Sequence, residues 1–154
     1  MNNETNTFDI AAPVRGEVRP LAELPDPAFS RGSLGPGSAV VPADGDITAP
    51  VSGSLMVAMP HAYGIRTAAG IEILVHIGID TVNLAGAHFT QHVRRGAEIR
   101  AGEPLCTVDL AGVRAAGLDP TVIVVVTDTA STQAVKPTPR PRVRRGDPLV
   151  SVLT

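Results

Sequence analysis

The sequence predicts an all-β fold, an antiparallel β-sandwich or barrel with a duplicated motif and one short helix. Glycine and proline are frequent, with 15 and 14 copies in 154 residues, and both are scattered along the chain. Such residues break a chain into short strands joined by turns. The 44% hydrophobic content suits a folded core. We therefore predict a single domain over residues 9–154, preceded by a flexible tail over residues 1–8.

The strands are predicted where short aliphatic or β-branched runs lie between Gly, Pro and polar residues. Clear runs occur at residues 39–41, 51–59, 71–77, 105–108, 121–126 and 149–152. The one helix is predicted over residues 110–116, with Asp109 as its N-cap and Gly117 as its C-cap. Pro120 prevents any continuation of that helix.

Two pairs of segments indicate the duplication. The string APVRG at residues 12–16 recurs as APVSG at 49–53, and IRAGEPL at 99–105 recurs as VRRGDPL at 143–149. The glycine of the second motif suits a turn that needs a positive φ angle. One such pair could arise because turn chemistry is common, but both pairs together favour a sandwich of two similar halves.

Composition argues against several classes of function. A net charge of −2 and 3% aromatic residues give no electrostatic or stacking basis for binding nucleic acid or an anionic membrane. The single cysteine, Cys106, excludes an intrachain disulfide and is typical of a reducing compartment. The N-terminal residues do not resemble a signal peptide, and no apolar run is long enough to cross a bilayer. We expect a cytoplasmic protein without membrane insertion.

His76 is the first candidate functional residue. It lies in an apolar strand, and the two-residue period of a strand places it on the face of Leu74 and Glu72, opposite Val75 and Ile77. A lone histidine in such a strand is usually a core-edge residue whose ring is satisfied by a backbone carbonyl. On its own, His76 therefore favours a structural role.

His61 changes that interpretation. It lies in a predicted turn over residues 60–64, and a hairpin there could bring it beside the strand of His76. Two facing imidazoles suit either a metal site, which needs further ligands, or phosphoryl transfer through a nucleophilic histidine. His88 and His92 are predicted to be surface residues at an exposed edge strand.

Two other classes of protein share single features with this chain. A zinc hydrolase would use His61 and His76, but no third ligand stands at a diagnostic spacing. A biotinyl or lipoyl carrier would share the Gly-acid turns, but it needs a lysine at a hairpin tip. The only lysine is Lys136, in the segment VKPTP. The sequence argues against both.

Residues 74–82, LVHIGIDTV, resemble the active-site segment of the glucose-family enzyme IIA domain of the bacterial phosphoenolpyruvate-dependent sugar phosphotransferase system. Further similar segments follow the family's order at residues 11–16, 27–30, 35–39, 49–53 and 146–149. The resemblance therefore spans nearly the whole chain. It implies an antiparallel β-sandwich with a duplicated motif, in agreement with the repeats.

The resemblance implies a phosphotransferase component with a phosphohistidine intermediate. His76 matches the histidine that accepts a phosphoryl group on Nε2 from the carrier HPr and passes it to a cysteine on the IIB domain of a membrane sugar permease. His61 matches the second active-site histidine, which supports the phosphoryl group. Asp80 matches an acidic residue at the edge of the site, and Gly78 and Val82 are expected at the same rim.

The resemblance implies no cofactor, and no metal is required for this chemistry. The two histidines would ligate zinc only with a carboxylate supplied by a partner. An alternative function with the same fold is a regulatory binding protein, whose target proteins would read its phosphorylation state.

The chain departs from the family pattern in three places. It has Gly35-Pro36-Gly37 where many members have Gly-Asp-Gly, which removes a negative charge from the rim. It has Met59 where a threonine often stands two residues before the first histidine. The hairpin before His61 also looks about two residues shorter than in other members.

Overall fold

The structure is a computed structural model that describes residues 6–154, and its secondary structure is mostly strand. The strands are β1 (Thr7–Ala11), β2 (Gly16–Arg19), β3 (Gly37–Pro42), β4 (Asp46–Thr48), β5 (Gly53–Met59), β6 (Ala62–Arg66), β7 (Glu72–Ile77), β8 (Phe89–Gln91), β9 (Glu98–Ile99), β10 (Pro104–Val108), β11 (Val122–Val126), β12 (Ala134–Pro137), β13 (Arg142–Val143) and β14 (Pro148–Leu153). The helices are α1 (Pro27–Ser30) and α2 (Leu110–Ala115), with 3-10 turns at Leu21–Glu23 and Thr81–Leu84.

The strands form three antiparallel sheets. The large sheet has the order β13-β2-β3-β11-β7-β6-β5-β9, and the two small sheets have the orders β1-β14-β12 and β4-β10-β8. One core joins all three sheets: Val75 of the large sheet packs in the same cluster as Ile10 and Leu105 of the small ones, and each is fully buried. The predicted all-β sandwich is confirmed.

The repeated segments occupy equivalent places in the two halves. The Ala12 N–H donates to the carbonyl of Asp147 at 2.7 Å, and the Ala49 N–H donates to the carbonyl of Glu103 at 2.8 Å. Each repeat of the first motif thus binds one Gly-acid turn of the second. The duplication predicted from the sequence is therefore present in the structure, where both copies of the two motifs form the same backbone hydrogen bond.

The order of the strands extends this symmetry to every sheet. The halves β13-β2-β3-β11 and β9-β5-β6-β7 of the large sheet correspond strand by strand, as do the two small sheets. The halves meet where β11 pairs with β7, and there His76 lies opposite Ile123. His76 is therefore near the centre of the large sheet, where the two halves join.

A second, smaller apolar cluster covers the outer face of the large sheet. Alternate residues of β11 point to opposite faces, so Val124 joins the main core while Ile123 and Val125 lie on the other side. Phe29 of α1 and Ile79, which follows β7, pack on that outer face. This cover makes the surroundings of the outer face apolar.

The predicted elements agree with the structure, with three corrections. Each strand predicted in the sequence has ends within two residues of the observed ones. α2 has the predicted Asp109 cap, whose carboxylate accepts from the Gly112 N–H at 3.1 Å, but its C-cap is Ala116 and not Gly117. The first correction concerns the tail. Thr7 and Phe8 belong to β1, where Phe8 pairs with Val152. Asn6 is also described, and its carbonyl accepts from the Thr154 N–H at 2.9 Å. Residues 1–5 of the predicted tail lie outside the described residues.

The second correction is a second helix. α1 is a single turn, with Pro27 at its start and the Asp26 carboxylate accepting from the Ala28 N–H at 2.9 Å. One turn is too short to produce a helical period, so only its cap could have indicated it. Neither helix of the described chain has the length and apolar character that a bilayer crossing requires.

The third correction concerns the turn that carries His61. It is a two-residue turn, Pro60-His61, because Met59 pairs directly with Ala62. Ala62, Tyr63 and Gly64, predicted as part of the turn, belong to β6 instead. The tight turn brings His61 to the end of a strand that pairs along its whole length with β7.

Candidate functional site

Three aromatic rings meet on the outer face of the large sheet. The His76 and His61 ring centroids are 5.3 Å apart, with the planes at 77°. The Phe29 ring centroid lies 5.2 Å from that of His76, with the planes at 61°. Both contacts are edge-to-face. The two histidines that the sequence singled out are thus adjacent, and Phe29 completes the cluster.

A backbone carbonyl determines the tautomer of His76. Its Nδ1 lies 2.7 Å from the carbonyl oxygen of Gly78. A carbonyl oxygen can only accept a hydrogen bond, so Nδ1 carries the proton and donates it. In the neutral ring, Nε2 therefore has a free lone pair. The carbonyl bond is the one expected for a structural histidine, but it also prepares Nε2 as a nucleophile.

The tight hairpin holds His61 in place. The carbonyl of His61 accepts a hydrogen bond from the Ile77 N–H at 2.7 Å, and the next residue, Ala62, pairs with His76 across the sheet. His61 thus sits at the point where the β5–β6 turn reaches β7. Its backbone is fixed relative to His76, and its ring is half-buried.

Burial favours the neutral form of both histidines. It is the main cause that lowers the pKa of His76, and the nearby His61 lowers it further. The Gly78 carbonyl, Asp26 and Asp80 oppose this effect without reversing it. Burial alone lowers the pKa of His61. An ordinary imidazole already has a pKa of about 6.5, so the unprotonated form predominates at both positions.

The turn after β7 supplies the carbonyl that holds His76. Gly78 has a φ of +82°, and its N–H donates to the carbonyl of Thr121 at 2.8 Å. The next N–H, of Ile79, donates to the carbonyl of Asp119 at 2.9 Å. Asp80 follows, exposed, with a φ of 60°. These bonds fix the Gly78 carbonyl against the ring.

Gly78→Ala is expected to destabilise the fold strongly. A Cβ at this position would clash with Cγ2 of Thr81, which is 1% exposed and whose hydroxyl donates to the Ile77 carbonyl. Together with the positive φ, we expect a loss of about 3 kcal/mol of unfolding free energy. Denaturant unfolding measures this loss.

Gly70→Ala is the matched control for that variant. Gly70 has a φ of +84°, but a Cβ there would meet nothing within 4 Å. It should lose only about 1 kcal/mol, the backbone contribution alone. Equal losses of unfolding free energy in the two variants would show that the contact with Thr81 does not require glycine at position 78.

Of the predicted rim residues, Asp80 is exposed and charged, while the other exposed side chains near the site are apolar. Val82, in the 3-10 turn after Asp80, is 58% exposed, and Met59, just before the Pro60-His61 turn, is 49% exposed. Pro36, the second residue of the Gly35-Pro36-Gly37 departure, lies further from His76 than these side chains. Its carbonyl accepts from the Val126 N–H at 2.8 Å, three residues along β11 from the partner of His76.

The structure adds two residues that sequence reasoning did not assign to the site. Phe29 forms one wall of the ring cluster, and Asp26 is close enough to raise the pKa of His76. Their only local signal was the capping pattern Asp26-Pro27 before Phe29. That pattern predicts a helix start but does not indicate what the helix covers.

His88 and His92 lie outside the cluster, as predicted, and both are exposed. Nδ1 of His88 is 3.5 Å from the Asp109 carboxylate, and Nε2 of His92 is 2.7 Å from the Thr107 hydroxyl. Within residues 6–154 no group of three or more His, Cys, Asp or Glu side chains could hold a metal ion. The site therefore offers an unprotonated imidazole nitrogen and a second imidazole.

Comparison with known proteins shows the family of this chain. Residues 8–132 match the model of the family described as phosphoenolpyruvate-dependent sugar phosphotransferase system, EIIA 1. The chain is similar to the solved structure of the glucose permease IIA from Mycoplasma capricolum, with a TM-score of 0.89 and 36% identity, over 95% of this chain and 96% of that one.

Curated relatives belong to the same phosphotransferase system. The glucose-specific EIIA component of Oceanobacillus iheyensis is 36% identical over 86% of this chain and 82% of its own length. The glucose-specific EIICBA component of Streptococcus pneumoniae serotype 4 is 44% identical over 84% of this chain. The chain spans only 18% of that relative and 23% of a β-glucoside-specific EIIBCA component from Halalkalibacterium halodurans. The chain belongs to the EIIA 1 family of the phosphoenolpyruvate-dependent sugar phosphotransferase system.

Proposed function

We propose that this domain accepts a phosphoryl group from phospho-HPr on Nε2 of His76 and passes it to a cysteine of a IIB domain. The observation that carries this proposal is the free Nε2 lone pair of His76, set in an apolar ring cluster beside His61. Relatives named EIICBA and EIIBCA components support a IIB partner.

The transfer needs no proton to leave His76. The Nε2 lone pair forms the bond to phosphorus while the bond between phosphorus and the donor's nitrogen breaks, and the donor's ring keeps that electron pair. The proton on Nδ1 stays in its hydrogen bond to the Gly78 carbonyl. Phosphorylation draws electrons from the ring, so this bond strengthens as the product forms. The Gly78 carbonyl thus favours the phosphorylated state over the free one.

The surroundings protect the intermediate from water. Phe29 and the half-buried His61 flank the His76 ring. Beside the exposed Asp80, two exposed side chains near the site, Val82 and Met59, are apolar, which suits close contact with a partner surface. Exclusion of water during that contact limits hydrolysis of the phosphohistidine. We place this exchange in the cytoplasm, because the buried free thiol of Cys106 suits a reducing compartment.

Incubation with enzyme I, HPr and labelled phosphoenolpyruvate tests the proposal. The protein should acquire label that is lost in acid and retained in base, as a phosphohistidine requires. Adding a purified IIB domain should then move the label onto that domain. Absence of label on the protein, in the presence of labelled HPr, would overturn the proposal.

A further inference from the structure

The β5–β6 turn is held from beneath by two buried side chains outside the ring cluster. The Tyr63 hydroxyl donates to the carbonyl of Pro60 at 3.2 Å. Sγ of Cys106 lies 3.6 Å from the same oxygen, and also 3.6 Å from the carbonyl of Thr107. Tyr63 is fully buried and Cys106 is 1% exposed, so both side chains approach the Pro60 oxygen from the protein interior.

The two bonds reach the turn from different layers of the sandwich. Tyr63 belongs to β6, with its side chain on the core face opposite His76, while Cys106 belongs to β10 of a small sheet. The thiol lies beside the tyrosine hydroxyl, and burial is the main cause that raises the pKa of both groups. Both therefore keep their protons and can act as donors.

Together with β7, these donors fix two consecutive carbonyls. Tyr63 and Cys106 hold the oxygen of Pro60, and the Ile77 N–H holds the oxygen of His61. The proline ring restricts its own φ angle. The peptide between Pro60 and His61 thus has little freedom, and the position of the His61 ring depends mainly on its own side-chain torsions.

We propose that Tyr63, supported by Cys106, is a positioning residue that sets His61 against the phosphoryl group on His76. This inference rests on the proposed phosphoryl transfer. Neither side chain touches the His76 ring, because both act through the backbone of the turn. Loss of the tyrosine hydroxyl should therefore reproduce, in weaker form, the loss of the His61 imidazole.

Tyr63→Phe tests the inference, since it keeps the ring in the core and removes only the hydroxyl. We expect transfer from the phosphorylated protein to IIB to slow about fivefold, as for one lost hydrogen bond, with acceptance from phospho-HPr changed by less than about twofold. Adding Cys106→Ala should slow transfer further. In a His61→Gln background, Tyr63→Phe should have no additional effect on transfer, because its target is gone.

Val152→Ala, a core truncation in β14, is the control for lost stability, with denaturant midpoints measured for all variants. It should leave transfer unchanged while the protein is folded. Normal transfer by Tyr63→Phe, or an equal slowing in the wild-type and His61→Gln backgrounds, would overturn the inference. Failure of the proposed function would look different, because the wild-type protein would then take up no label from phospho-HPr.

Discussion

His76→Gln is expected to abolish phosphoryl uptake from phospho-HPr, lowering the rate by at least about 10⁴-fold. An amide nitrogen shares its lone pair with the carbonyl and does not attack phosphorus. The glutamine can still donate a hydrogen bond to the Gly78 carbonyl, which holds Nδ1 of the native ring. The variant should therefore fold. The measurement is acid-labile label on the protein after incubation with enzyme I, HPr and labelled phosphoenolpyruvate.

His92→Gln is the matched control, because it makes the same substitution at an exposed histidine bonded to Thr107 on the small sheet. It should take up label at the wild-type rate. Acid-labile label on folded His76→Gln at more than a trace would assign the phosphoryl group to another residue. Circular dichroism and denaturant unfolding establish that the silent variant is folded.

The chemistry of His76 follows from one bond and its burial. The Gly78 carbonyl places the proton on Nδ1, and burial keeps the ring neutral by lowering its pKa. An exposed histidine would also be mostly neutral at pH 7. It would, however, sample both tautomers and leave its phosphoryl group open to water. The apolar cover supplied by Phe29 would thus also bear on the lifetime of the proposed phosphohistidine.

The repeats allowed much of the fold to be predicted from sequence. Each Gly-acid turn carries its own local signal, and the duplication predicted two matching halves before any strand was paired. The approach of His61 to His76 was also within reach, because a hairpin joins residues that are close in sequence. These features depend on residues that are close together in the sequence, so sequence patterns can indicate them.

The remaining parts of the site depend on contacts between distant segments. Phe29 contacts His76 from a one-turn helix 47 residues earlier in the chain. Cys106 reaches Pro60 from the opposite sheet, across 46 residues. No local period encodes either contact. Tyr63 and Gly64 were predicted in the turn over residues 60–64, yet both belong to β6, where Gly64 pairs with Val57 of β5.

His61→Gln is expected to separate the two halves of the reaction. Uptake on His76 should stay near the wild-type rate, because the nucleophile and its Gly78 bond are intact. Transfer to IIB should slow about 10²-fold, as when one donor to a developing charge is lost. Single-turnover transfer from purified phosphoprotein measures the second step without the first.

The reason lies in the charge that His61 faces in each state. In the free protein, burial lowers the pKa of His61, so its ring is neutral. A phosphoryl group on the ring 5.3 Å away brings about −1.5 to −2 charge, which favours the protonated ring and raises its pKa. His61 can then donate a charge-assisted hydrogen bond, which a neutral glutamine cannot match.

This difference predicts a pH signature for the transfer step. Wild-type transfer should slow as pH rises through the raised pKa of His61 in the phosphorylated protein, because the protonated ring is lost. The glutamine variant lacks that group, so its slower transfer should lack this decline. His88→Gln is the control, at an exposed histidine that lies 3.5 Å from the Asp109 carboxylate and outside the ring cluster. This variant should keep the wild-type pH profile of transfer. A similar decline with pH in His61→Gln would show that another group, on the partner or on His76, carries the titration.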